Sequence, residues 1–316
     1  MTRDLFLVYT AAFARATGIG MSGVLVGLYA AELGLPASGV GAVISAGLLG
    51  VALGTLAVML LGDRLGRTRL LIAIALLSAV GTAAFALAGT AWALIPAAAL
   101  GMVNGMGRDR GAAFSLEQAI LPELIPDSGR TRAFAWYNVC LDVGHALGAL
   151  GGLLPTILRS AAGVGPLESY RAGFLVVAGL SAVGALAYAQ LGARDHATGE
   201  RTFARVGPES RRRIARLAGL FAMDSVGGGF LTTALLSYWF FRRFGVSESV
   251  LAPLFLCGRL VNGASHLAAA WISRRIGLLK TMVFTHLPSS LLLLTVPIAP
   301  SFPVAAALFL LRECLV

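Results

Sequence analysis

Residues 62–69 read Gly62-Asp63-Arg64-Leu65-Gly66-Arg67-Thr68-Arg69. This short charged run stands between the apolar stretches 38–61 and 70–89, each long enough to cross a hydrocarbon core of ~30 Å as a helix. It reads as a tight turn at a membrane face. The same arrangement returns 211 residues later, where Arg274-Arg275-Ile276-Gly277 and Lys280 separate the apolar runs 249–272 and 279–298. The match extends outward without a gap, pairing Leu33-Gly34-Leu35 with Phe244-Gly245-Val246 and Ser38 with Ser249. A shift of 204 then pairs Pro96 with Pro300 and Arg108-Asp109 with Arg312-Glu313. Coincident glycines, prolines and charges indicate a duplicated helical unit.

The chain has 316 residues, 57% of them apolar and 13% charged, with 39 glycines. Its mean hydropathy is +0.82. A soluble domain carries about 25% charged residues, so there is too little polar surface here to cover a soluble core. Disorder, a collagen repeat, a disulfide scaffold and a coiled coil are excluded on the same grounds. Lipid admits only helices and closed barrels, and long strand-like alternation is missing. The expected fold class is therefore all-α, a polytopic membrane protein of two pseudo-repeated helical bundles, six helices plus an incomplete second set of about four. Helices are predicted at 5–30, 38–61, 70–89, 92–120, 133–158, 171–191, 214–240, 249–272, 279–298 and from 301 onward. The predicted domains are a six-helix bundle at 1–191, a polar Arg-rich cytoplasmic linker at 192–213, and an incomplete second bundle at 214–316. With the 204 shift, Val316 corresponds to Ala112 in the middle of helix four, so the expectation is a chain truncated within its tenth helix.

The net charge of +10 comes from 25 basic residues, 24 Arg and Lys280 alone. They lie in short loops with no aromatic-interleaved basic face, which argues against nucleic acid as a partner. With the N-terminus cytoplasmic, 16 basic residues fall on the inner side, 4 on the outer side and 5 within helices. The positive-inside rule then predicts a multi-pass protein of the cytoplasmic (plasma) membrane, its N-terminus and central linker cytoplasmic. The first apolar run is too long for a signal peptide and lacks a cleavage pattern. Cys140, Cys257 and Cys314 lie in apolar runs and read as small packing residues. No nucleotide-binding glycine loop, metal-ligand cluster or nucleophile–base set can be assembled, so neither an enzyme nor a cofactor is expected.

The loop at 62–69 resembles the signature of the major facilitator superfamily, whose core is Asp-Arg-x-Gly-Arg followed by a basic residue. The leading glycine of that signature would fall at Met59. The resemblance covers the whole chain. It implies a twelve-helix secondary transporter that moves a small solute by alternating access, with a proton as candidate coupling ion and efflux as candidate direction. It implies no cofactor, a lipid bilayer as surroundings and a monomer. A gating loop is implied at Asp63, Arg64, Gly66, Arg67 and Arg69, with Asp63 capping a helix N-terminus, pairing with Arg67 and facing an eleventh helix that this chain lacks. The alternative, from another functional class, is a truncated and transport-inactive membrane protein or binding partner. Gly144-x-x-x-Gly148-Ala149-x-Gly151-Gly152 is similar to the antiporter signature of drug/proton exchangers, with Ala149 replacing its proline. Close helix packing is the other reading of that run. The family's helix-four Arg-x-x-Gln-Gly has no match.

Ionisable residues at bilayer depth point to function. Arg15, Asp142, Asp224 and Arg259 each lie about 15 Å along their helices, near the midplane. Helix four is read as continuous through Arg108, Asp109 and Arg110, with a shorter helix ending at Arg108 as the alternative. Asn138, Asp142 and His145 share one stripe, and Arg259, Asn262 and His266 another. The family resemblance brings these two helices together, which suggests an Asp142–Arg259 pair that breaks and re-forms; two separately satisfied stripes are the alternative. The histidines are either titrating or structural. By the same resemblance helices one, four, seven and ten line the cavity. The substrate or coupling candidates are thus Arg15, Asn104, Arg108, Asp109, Arg110, Asp142, His145, Asp224, Arg259, Arg312 and Glu313.

Overall fold

A computed structural model describes residues 2–192, 207–229 and 232–315, and among them no strand occurs. The linker positions 193–206 lie outside the described residues. The first half holds α1 (Arg3–Glu32), α2 (Ala37–Leu65), α3 (Arg67–Leu87), α4 (Ala91–Leu100), α5 (Ala112–Leu124), α6 (Arg130–Gly151), α7 (Leu154–Ala162) and α8 (Pro166–Ala189). The second holds α9 (Pro208–Gly229), α10 (Thr233–Phe244), α11 (Glu248–Ile276), α12 (Leu278–Thr295) and α13 (Phe302–Glu313). Among the described residues, six helices or helix pairs are long and apolar enough to cross a membrane. Large apolar side chains such as Leu49, Leu53, Leu56 and Leu60 of α2 are exposed, as a lipid-facing surface requires.

The duplication is visible in the backbone. α2 and α11 both have 29 residues, and their ends, Ala37 with Glu248 and Leu65 with Ile276, stand 211 apart. The turns that follow use the same conformation, with φ of 88° at Gly66 and 86° at Gly277. Gly34 and Gly245, the other pair at this spacing, also have positive φ. Only glycine enters this region cheaply, so the paired glycines mark the turns. The 204 shift does not hold. Ala91 and Phe302, the first residues of α4 and α13, keep the 211 spacing, and Pro96 lies inside α4 whereas Pro300 precedes α13.

Two predicted helices are interrupted and a third starts early. The run 92–120 divides into α4 and α5, joined by irregular backbone at 101–111. Four glycines in that segment, each costing about 1 kcal/mol in a helix, together with three consecutive charges, outweigh its apolar residues. The run 133–158 breaks at Gly152-Leu153 between α6 and α7. The seventh helix begins at Pro208, inside the segment read as linker, because Pro208 suits a first turn and Glu209 pairs with Arg213 at 2.6 Å.

The glycine run of α6 acts in packing. A Cβ at Gly148 would stand 2.0 Å from the Thr17 carbonyl, and one at Gly20 of α1 2.3 Å from the His145 carbonyl. The backbones of α1 and α6 therefore touch, and Gly20 to Ala30 of α1 form a continuously buried stretch. The two halves meet along α1 with α10 and α6 with α11. Burial along α6 and α11 falls off toward Arg130 and Ile276, the ends nearest the charged turns.

Candidate functional site

Backbone that leaves a helix inside a membrane protein must find new partners, because lipid supplies none. Each freed group of 104–111 that carries a bond is met by a side chain or by the other half. Asn104 bridges the segment, its Nδ2 donating to the Arg108 carbonyl at 2.9 Å and its Oδ1 accepting from the Met106 amide at 2.8 Å. The Asp109 amide donates to His145 Nε2 at 3.1 Å, a structural role for that imidazole. From the second half, the Ala234 amide donates to the Gly105 carbonyl at 2.9 Å, and Thr233 Oγ1 to the Met106 carbonyl at 2.9 Å. Arg259 donates to the Gly107 carbonyl at 2.6 Å. The unwound stretch is thus a strap between the halves. Met102, with φ of 49°, and Gly107, with φ of 68°, turn the chain at its two ends.

On one side of this strap a single guanidinium is shared by two buried carboxylates. Arg15 donates from Nε to Asp109 at 2.7 Å and from Nη1 and Nη2 to Glu117 at 2.9 and 2.5 Å. Tyr137 donates to Glu117 at 2.6 Å, and Tyr188 also hydrogen-bonds both Glu117 and Arg15. Glu117 has no exposed surface. Its charge is balanced only through Arg15 and two phenols, an arrangement stable when fully satisfied and costly when broken. Five helices or segments supply this cluster, so distant parts of the chain converge on one ionic centre.

Across the strap the second half supplies its own charges. Arg108 donates to Asn262 at 2.9 Å and stands 3.6 Å from Glu313, which also pairs with its neighbour Arg312. Asp142 lies within electrostatic reach of both Arg108 and Arg259. α6 and α11 pack together, and the described bond of Arg259 goes to backbone at Gly107. Arg110 is exposed at the edge of the segment. The side chains of Asp224, His266 and Asp63 lie outside the described residues.

In the charged turn, Arg67 pairs with Glu123 of α5 at 2.6 Å and donates to the Ala119 carbonyl at 3.1 Å, tying the loop to α5 within its own half. Arg64 and Arg69 are exposed beside it. A second ionic contact joins the halves at the other end of the molecule. Glu248, at the start of α11 and 1% exposed, accepts from Thr156 at 2.7 Å and Tyr170 at 2.9 Å and is ion-paired with Arg159.

Sequence reasoning missed Glu117, Tyr137, Tyr188 and Glu248. Glu117 was within reach, as a carboxylate inside the predicted span 92–120. The tyrosines carried no signal, since a buried phenol looks like any aromatic core residue until its partner is located.

Repeated helical halves and a lipid-compatible surface define a multi-pass membrane protein. The chain belongs to the Major Facilitator Superfamily, whose family model matches residues 8–314. An uncharacterized membrane protein of Saccharomyces cerevisiae is 21% identical over 342 aligned positions, covering 98% of this chain and 76% of that protein. Among solved structures, the nucleoside transporter NupG superposes with a TM-score of 0.74 at 15% identity, covering 100% of this chain and 78% of the other. The xylose transporter XylE from E. coli, in a partially occluded inward open conformation, gives 0.69 at 14% identity, covering 99% and 82%. At these identities the likeness to solved structures is one of fold.

Proposed function

We propose that this protein carries a small solute across the membrane by alternating access, with a proton bound at the Arg15–Asp109–Glu117 cluster as the coupling ion. The observation that carries this reading is one guanidinium between two buried carboxylates, Asp109 at 2.7 Å and Glu117 at 2.5 Å. Two carboxylates face one guanidinium here, so the cluster offers a bound cation a formal excess of one negative charge. Because Asp109 belongs to the strap that Arg259 and Thr233 grip, protonation there alters the contact between the halves. The halves rock about this junction, and the charged turns at Gly66 and Gly277 flank the moving ends.

The inner excess of arginines orients the N-terminus toward the cytoplasm. Glu248 and Arg159 then close the outer side, and the exposed ends of α6 and α11 face inward. Reconstitution in proteoliposomes tests the coupling, with labelled uridine and xylose as first probes, chosen after the transporters of similar fold. The wild type should accumulate its solute under a pH gradient. Glu117→Gln, which cannot release a proton, should lose accumulation while retaining solute exchange. Equal gradient-driven accumulation by both proteins would reject proton coupling at Glu117.

A further inference from the structure

Within the first bundle lies a cavity of about 80 Å³, lined by α1, α2, α3, α5, α8 and the irregular segment rather than by the second half. A cavity needs about 10–15 Å³ to hold one water, so this space is several times larger than a single-water site. Its length follows from α1, where Arg15 and Ser22 both line it and stand about 10 Å apart along the helix axis. Arg15, Asp109 and Tyr188 lie toward one end, Ser22 and Thr82 toward the other, and Ile19, Val177 and Leu180 form an apolar waist.

The two ends differ in what they offer a ligand. Arg15 and Asp109 are already engaged with each other and with Glu117, so the charged end is committed within the protein. Ser22 and Thr82 are each 2% exposed, line the cavity, and have no hydrogen-bond partner among the described residues. Polar groups buried to this degree are nearly always bonded, to protein, to water or to a ligand. Two open hydroxyls beside an apolar waist suit an uncharged solute; a carboxylate or ammonium bound there would lose its hydration and find no charged residue at that end of the cavity.

We propose that this cavity is a binding site for a small, uncharged, partly apolar solute whose hydroxyl or amide group bonds to Ser22 and Thr82. The site is additional to the transport pathway between the halves and does not depend on proton coupling at Glu117.

Benzyl alcohol, benzoate and benzylamine share one ring and differ in charge, which makes them suitable probes. The full chain, with Cys140, Cys257 and Cys314 replaced by serine, would carry a reporter Ser78→Cys on α3, with Ile19→Cys, also lining the cavity, as a second reporter on α1, so that Ser22 and Thr82 both stay in place. Leu53→Cys on the exposed face of α2 is the control for partitioning into lipid or detergent. Benzyl alcohol should slow N-ethylmaleimide alkylation of the cavity reporters about tenfold near ten times its dissociation constant, following 1 + [L]/Kd. Benzoate and benzylamine should not slow it, the Leu53→Cys rate should stay unchanged, and adding Thr82→Val should weaken the protection. The proposal is overturned by protection from the charged probes alone, by equal slowing at Leu53→Cys, by protection indifferent to Thr82→Val, or by a cavity that no probe occupies because it holds only water. Reporters that are never alkylated, in a protein that melts as the parent does, also overturn it, since no solute then reaches the site.

Discussion

Arg259 of the second half donates a hydrogen bond of 2.6 Å to the backbone carbonyl of Gly107 in the first. A charged donor thus grips a peptide group that is free only because the helix around it has unwound. The contact therefore depends on the irregular backbone at 101–111.

Gly107 has φ of 68°, and a Cβ there would stand 2.8 Å from Thr233 Oγ1 and 2.9 Å from Arg259 Nη2. Gly107→Ala combines left-handed strain with displacement of both partners, and is expected to cost at least about 1–2 kcal/mol. Thermal unfolding in detergent measures this. An unchanged melting temperature would show that the strap is not rigid.

Arg15→Met leaves Asp109 and Glu117 without their shared cation. Removing one member of a buried ionic set costs about 3–5 kcal/mol, whereas replacing the whole set by apolar groups is often neutral. Arg15→Met alone should melt well below wild type, and adding Asp109→Asn and Glu117→Leu should recover most of the loss. If the triple variant melts no higher than the single one, the cluster is not an isolated ionic unit.

The Glu248–Arg159 contact gives a separate prediction. Glu248→Gln removes the charge that Arg159 pairs with, and a hydrogen bond to a charged group is worth about 1.5–3 kcal/mol. That corresponds to tenfold or more in the closed–open equilibrium of that end. A cysteine at the buried Leu251 should then be alkylated about tenfold faster. The exchange Arg159→Glu with Glu248→Arg should bring the rate back toward wild type.

Gly66→Ala and Gly277→Ala test the duplication energetically. Their φ values are 88° and 86°, and nothing lies within 4 Å of a Cβ at Gly277. The cost at Gly277 is therefore conformational, about 1–2 kcal/mol. Gly66→Ala should cost a similar amount if the two turns are equivalent, which chemical denaturation of the purified protein would reveal.

Much of the fold could be read from local signals. Apolar runs longer than a bilayer core is thick, charged turns between them and a repeat at 211 residues require only composition and spacing, and helix ends at Ala37 and Glu248 keep that register. Arg15, Asp109, Arg259 and Glu313 also stood out, because an ionisable residue in an apolar run is conspicuous in one dimension. Which of them pair with one another did not, nor did the part played by Glu117. The break at 101–111 was hidden because its apolar residues continue the helical pattern while its glycines weaken it, and the balance depends on whether Ala234, Thr233 and Arg259 are present to receive the freed carbonyls. Glu117 became central only once Tyr137 and Tyr188, from α6 and α8, arrived at its two oxygens. The sequence alone thus determined that this is a duplicated helical membrane protein, since burial in lipid acts on each segment separately. Which charges pair, which backbone groups bridge the halves and where a cavity remains were decided by the tertiary structure, because those properties arise only when distant segments meet.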